Sequence, residues 1–109
     1  MDMVAERFDI FWVSLDPTIG SEIRKIRPAV VVSPDEMNRN LNTIIVAPLT
    51  STFKKYPTRI EVSLENRKGQ VALDQIRAID KSRLGEKAGR VDERVCEKIC
   101  DCLQQMFAK

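Results

Sequence analysis

From residue 16 to residue 32 the chain reads Asp16-Pro17-Thr18-Ile19-Gly20-Ser21-Glu22-Ile23-Arg24-Lys25-Ile26-Arg27-Pro28-Ala29-Val30-Val31-Val32, a polar, cation-bearing loop running into a solid apolar segment. Asp16-Pro17 opens the loop as a turn, because proline presets φ and aspartate accepts from nearby backbone N–H groups. Gly20 adds backbone freedom, and Pro28 holds Arg27 extended where the next strand begins. Such a frame presents Glu22, Arg24, Lys25 and Arg27 together, an arrangement suited to handling a phosphate.

Outward from this loop the pattern is that of a β protein. Phe8 to Leu15, aromatic and β-branched, reads as a mostly buried first strand, and Ala29 to Ser33 as a central one. Pro34-Asp35-Glu36-Met37-Asn38-Arg39 predicts a short helical turn, with proline at its start and acids behind it. Thr43 to Leu49 is a further strand, closed by Pro48 and the Thr50-Ser51-Thr52 hydroxyls. Lys54-Lys55-Tyr56-Pro57 reads as an exposed loop. Arg59 to Leu64 alternates polar and apolar, a half-buried strand. Glu65 to Gly69 reads as a charged turn ending in glycine. Gln70 to Leu73 and Ile76 to Ile79 are two strand-like pieces interrupted by Asp74-Gln75, and residues 80–90 suggest a turn and an edge strand. Asp92 is a natural N-cap, with Glu93 in the first turn of a terminal helix. Val95, Ile99, Leu103 and Met106 form its apolar stripe, widened by Cys102 and Phe107. Many short strands followed by one helix predict a mainly β fold: one domain over residues 1–109, a small β-barrel or strongly curved sheet with a C-terminal α-helix.

Composition narrows the function. A chain of 109 residues can bury one core without staples. No apolar run approaches membrane-spanning length, and Asp2 and Glu6 stand where a signal peptide would be hydrophobic. The expectation is a cytoplasmic protein with no membrane association. Cys96, Cys100 and Cys102 are odd in number and share one helix, so they read as free, half-buried thiols rather than a disulfide framework or a zinc site. The net charge is only +2, yet residues 54–90 hold ten Lys/Arg against five Asp/Glu. A basic middle between mildly acidic flanks fits either a polyanion-facing surface or a solvated β face.

No phosphate-binding loop, dinucleotide fingerprint, zinc spacing or nucleophile elbow is present. There is no histidine, so the usual general base near neutral pH is missing. Carboxylates, hydroxyls and arginines remain, and these can cleave a phosphodiester that carries its own 2′-OH nucleophile. Arg27 is either a two-point phosphate clamp or an ion-pair partner at a barrel rim. Glu22 is either a base or orienter, or a surface carboxylate paired with Lys25. Among Thr50, Ser51 and Thr52, one hydroxyl can donate to a phosphate oxygen. Asp74 and Gln75 sit at a bulge or face a pocket. Arg77 alternates outward, and Lys54 and Lys55 offer charge from a loop. Trp12 reads as core, with a base-stacking platform as the alternative.

Several segments carry a family resemblance: D-P-T-x-G-S-E (16–22), K-x-R-P-A-V-V-V-S (25–33), A-P-L-T-S (47–51), V-A-L-D-Q-I-R-A-I-D (71–80) and R-L-G (83–85). In that order and spacing, from about Phe8 to the terminal helix, the chain resembles the MazF/PemK toxins of toxin–antitoxin systems. The resemblance implies an SH3-like barrel, a homodimer, and a metal-independent, cofactor-free endoribonuclease cutting single-stranded RNA, often mRNA, at short sequences. Its products would carry 2′,3′-cyclic phosphate and 5′-hydroxyl ends. A cognate antitoxin of the MazE/PemI kind would block the RNA groove. By the same resemblance Arg27, Thr50 and Glu22 take the catalytic places; by their charge, hydroxyls and position Arg24, Lys25, Ser51, Lys54, Lys55, Asp74, Gln75 and Arg77 are the expected RNA-binding residues. In the Kid-type branch an aspartate at the place of Asp74 is catalytic, beside an arginine two residues earlier and a histidine in the first loop. Ala72 and Ser21 stand at those places, which turns the expectation toward Arg27 and Thr50. A gyrase-poisoning toxin of the CcdB kind would end in a Trp-Gly-Ile type tail; this chain ends Met106-Phe107-Ala108-Lys109. An inactive RNA- or protein-binding barrel is the remaining alternative.

Overall fold

A computed structural model describes residues 4–14 and 26–109. The Asp16 to Lys25 part of the loop, with Glu22, Arg24 and Lys25, therefore lies outside the described residues. Among the described residues, seven antiparallel strands, β1 (Asp9–Ser14), β2 (Ile26–Val31), β3 (Thr43–Thr50), β4 (Arg59–Leu64), β5 (Arg67–Ala72), β6 (Arg77–Asp80) and β7 (Leu84–Arg90), form one curled sheet. Two α-helices, α1 (Asp35–Asn40) and α2 (Glu93–Phe107), accompany it. The strand order is β4-β5-β3-β2-β1-β7, with β6 joined to β3. The two ends of this path curl toward one another, and a Cβ added at Gly89 of β7 would come within 3.0 Å of the Leu64 side chain of β4. The mainly β half-barrel with a C-terminal helix is the architecture expected from the strand pattern.

β3 makes the curl possible. Thr43 to Val46 pair with β6, whereas Leu49 and Thr50 pair with β5, so one eight-residue strand serves two neighbours in succession. On its other side Val46 to Pro48 pair with β2. Because alternate residues of a strand point to opposite faces, β1 to β3 feed two apolar clusters. Ile10, Val30, Ala47 and Leu49 join Val62, Val71 and Leu73 beneath α2. Phe11, Val13, Ala29, Val31, Ile44 and Val46 build the second cluster with Ile79. A strand buried on both faces has no polar side to show, which explains the unbroken Ala29–Val32 run.

The helix docks as its stripe predicts in all but one position. Ile99 is fully buried, and Val95, Cys96, Cys102, Leu103 and Met106 pack on the core around it. Phe107 does not extend the stripe: it lies in the last turn and is 71% exposed. Asp92 caps the helix by accepting from the Arg94 N–H at 2.8 Å. At the opposite corner, buried Ser33 donates to Asn38 and accepts from the Ile45 N–H, fastening α1 to β3. Buried Asp9 accepts from Arg90 at 2.8 Å and pairs with Lys87, tying the start of β1 to β7.

Three local readings change. The second strand starts at Ile26, not Ala29, so Arg27 and Pro28 already sit in the sheet, opposite Val13 and Trp12. The charged turn is only Glu65-Asn66: both have positive φ (50° and 64°), and Leu64 pairs with Arg67 directly. That is a two-residue hairpin turn whose twist matches the strands it joins. Gly69 is consequently a strand residue, where a Cβ would stand 3.0 Å from the Thr50 carbonyl oxygen. Its missing side chain lets β5 lie close against β3 beside Thr50. The Asp74-Gln75 interruption is a single 3₁₀ turn, Leu73–Gln75, that carries the chain from β5 to β6.

Candidate functional site: two cation-lined grooves sharing one wall

Arg27 and Thr50 are 23 positions apart in sequence and neighbours in the sheet. Ala29 pairs with Pro48 and Val30 with Ala47. The ladder ends there, but its line continued by two residues points Arg27 toward Thr50, and both side chains line the same grooves. The Thr50 hydroxyl accepts the Thr52 N–H at 3.1 Å. Its own proton is thereby left to donate outward. Arg27 is exposed, and Thr50 is half-buried.

Two grooves meet at this pair. The larger, about 380 Å³, runs between Trp12, Pro28, Leu64 and the Arg67-Lys68 start of β5, with Ser51 at its edge. The smaller, about 210 Å³, is bounded by Lys54, Arg59, Ala72 and Gln75. Arg27, Thr50 and Thr52 line both. Among the described residues, Arg27, Arg67 and Lys68 bring positive charge to the larger groove, against one carboxylate, Glu65. Arg27, Lys54 and Arg59 bring it to the smaller one. Clefts lined by one sign of charge concentrate counter-ions, here anions.

The sequence-based candidates divide accordingly. Arg27, Thr50 and Ser51 come together at the larger groove, and Lys54 and Gln75 join Arg27 and Thr50 at the smaller. Lys55 is exposed but lines neither groove. Arg77 lies on β6 opposite Val46, away from both. Asp74 does not face a groove as a lone acid. Its Oδ1 accepts from Arg59 Nε at 2.8 Å and from Thr58 Oγ1 at 2.9 Å, and its Oδ2 accepts from Arg59 Nη2 at 3.2 Å. The hydrogen bond from Arg59 holds its carboxyl down at about 2, so it is ionised throughout the neutral range and a weak base.

Sequence reasoning missed four groove residues. Trp12, taken as core, is 37% exposed in the wall of the larger groove. By charge and glycine Arg67 and Lys68 read as turn, and the signal for their strand is the short Glu65-Asn66 pair, since asparagine tolerates positive φ. Arg59 reads as one polar residue of an alternating strand; only the β4–β5 register, which pairs it with Ala72, brings it beside Asp74.

A small half-barrel with a terminal helix and an open, cation-lined double groove defines a class of compact β proteins with an anion-attracting face. Within that class the chain belongs to the PemK-like, MazF-like toxins of type II toxin–antitoxin systems, whose family model matches residues 6–107. It is 35% identical to Endoribonuclease EndoA of Bacillus subtilis over 112 residues, covering 97% of each chain. It is 37% identical to Endoribonuclease toxin MazF of Escherichia coli over 89 residues, covering 81% of this chain and 80% of that one. Among solved structures, MazF in a MazE–MazF crystal structure from Deinococcus radiodurans superposes with a TM-score of 0.84 at 27% identity, covering 97% of both.

Proposed function

We propose that the chain is an endoribonuclease toxin that cleaves single-stranded RNA, with Arg27 and Thr50 at the reacting phosphate. The observation that carries the reading is that Arg27 and Thr50, from β2 and β3, both line the wall common to the two grooves. The printed activities of the B. subtilis and E. coli relatives support it. In the reaction the 2′-OH of one nucleotide attacks the adjacent phosphorus. Its proton leaves to a base, the bond to the 5′-oxygen breaks, and that oxygen takes up a proton. The products are a 2′,3′-cyclic phosphate and a 5′-hydroxyl.

Each group has a task matched to its chemistry. Arg27 presents two N–H groups to the non-bridging oxygens, where negative charge grows in the pentavalent transition state, and donates the proton that the leaving 5′-oxygen takes up, regaining it from solvent. Thr50 donates its outward hydroxyl to one of those oxygens. Glu22, from the first loop, accepts or orients the nucleophile's proton. Ser51, Arg24, Lys25 and Lys55 hold the flanking strand. The RNA brings the nucleophile and these residues supply the charge clamp and the proton transfers, so the proposed step needs no metal.

A cognate antitoxin belongs to the same proposal, supported by the MazE–MazF complexes among the structural relatives. Exposed Ile26, Phe53 and Tyr56 offer apolar anchorage around the cationic grooves. A homodimer completes the reading. Incubating the purified protein with a long single-stranded transcript in EDTA, then mapping both ends of the fragments, tests the cleavage. Discrete cuts with cyclic phosphate ends are expected, and Arg27→Ala should lower the rate by about 10²–10³. Intact RNA, or cutting only on metal addition, would overturn the proposal.

A further inference from the structure

Besides Arg27, the smaller groove is lined by two cations, Lys54 and Arg59, each held in place by a polar neighbour. Arg59 is 8% exposed at its side chain, and two of its three guanidinium nitrogens are spent on Asp74. The Tyr56 ring lies 5.3 Å from the guanidinium carbon, fixing the plane from the side. Among the described residues no hydrogen bond engages Nη1, the nitrogen left for a ligand at the groove that Arg59 lines. Lys54 is set by a different clamp. Gln70, buried at 5% exposure, accepts the Lys54 N–H at 3.0 Å and donates to the Lys54 carbonyl at 3.1 Å. This pair imitates strand pairing and locks the backbone of a residue that lies in an otherwise irregular loop.

We propose that Lys54 and Arg59 form a second phosphate subsite beside the Arg27–Thr50 pair, and that Asp74 is a positioning residue which aims Arg59 rather than an acid or base. The inference rests on the RNA reading above for the nature of the strand. The adjacent place in the sheet at position 72 is alanine, and Ala72 is the register partner of Arg59. Ala72 brings no polar group to the groove wall, and Arg59 from the adjacent strand is the cation there. A planar guanidinium with two of its nitrogens fixed loses little further freedom when it meets a phosphate oxygen. Because Arg27 and Thr50 line both grooves, a strand crossing that wall sets consecutive phosphates on Arg27 and on Arg59 with Lys54.

The test measures equilibrium binding of a mixed-sequence 2′-O-methyl RNA, whose blocked nucleophile prevents cleavage, across a salt series. Wild type should bind with a slope in log K against log salt that Arg59→Ala lowers by about 0.7, the share of one phosphate on a single strand. Affinity should fall at least about tenfold. Arg59→Gln keeps a donor for Asp74 while losing the charge, and should lower the slope equally, which guards against misfolding of the alanine variant. Asp74→Asn decides the positioning role. Removing a negative charge from a basic groove should tighten binding if Asp74 acts only by its charge, whereas loss of aim weakens it. Severalfold weaker binding in Asp74→Asn, with retained far-UV dichroism, is the expected result. An unchanged slope in both Arg59 variants, or tighter binding in Asp74→Asn, would overturn the inference while leaving cleavage at Arg27 intact. Wild type that neither binds nor cuts single-stranded RNA would instead sink the reading on which it rests.

Discussion

The carboxylate of Asp74 shows how a residue's role depends on what faces it. In the sequence it is an acid that interrupts an apolar run, open to a catalytic reading. In the fold it is a hydrogen-bond acceptor saturated by Arg59 and Thr58, held at about 2 against an ordinary 3.8. A carboxyl whose folded value is depressed takes up its proton more readily when unfolded, so stability rises with pH across the interval between the two values. The pair's contribution is complete above about pH 4 and is lost as pH falls toward 2. Urea unfolding from pH 5 to pH 2 should show this acid limb in wild type and a shallower one in Asp74→Asn; parallel curves would remove the pair from the account. Arg27 and Thr50 were legible as residue types suited to phosphate chemistry. That they face one another was not, because nothing local in either segment encodes the β2–β3 register.

At the level of elements, local chemistry was read well where a segment forms its structure by itself. The terminal helix is the clearest case: the Asp92 cap and the Val95, Ile99, Leu103 and Met106 stripe sit where the periodicity places them. Asp92→Ala should cost about 1 kcal/mol by orphaning the Arg94 N–H, measurable as a lower urea midpoint with unchanged slope. Elements defined by partners were read less well. Ile26-Arg27-Pro28 reads as loop because a charged residue and a proline follow a polar stretch, yet β1 pairs with it along its length. Arg67-Lys68-Gly69 looked like turn because of charge and glycine, yet β4 pairs with all three. Pairing energy from a neighbouring strand overrode weak intrinsic preference in both places.

For the whole molecule, the decisive contact is the helix against the curled sheet. Ile99, fully buried, is the centre of that contact, and Ile99→Ala should destabilise the protein by about 2–5 kcal/mol in calorimetry or urea unfolding. A loss below 1 kcal/mol would mean that the helix is not integral to the core. The amino-acid sequence by itself determined the β-rich class, the terminal helix, the double-faced apolar strands and the kind of chemistry left to a chain without histidine. All of these follow from side-chain type and spacing over a few residues, where alternation, helical period and capping act directly. Only the tertiary structure decided that Arg27 meets Thr50, that Trp12 and Arg67 wall one groove, and that Arg59 crosses from β4 to Asp74. Those meetings depend on strand register and on the sheet's curl, which arise from the sum of many contacts between segments distant along the chain.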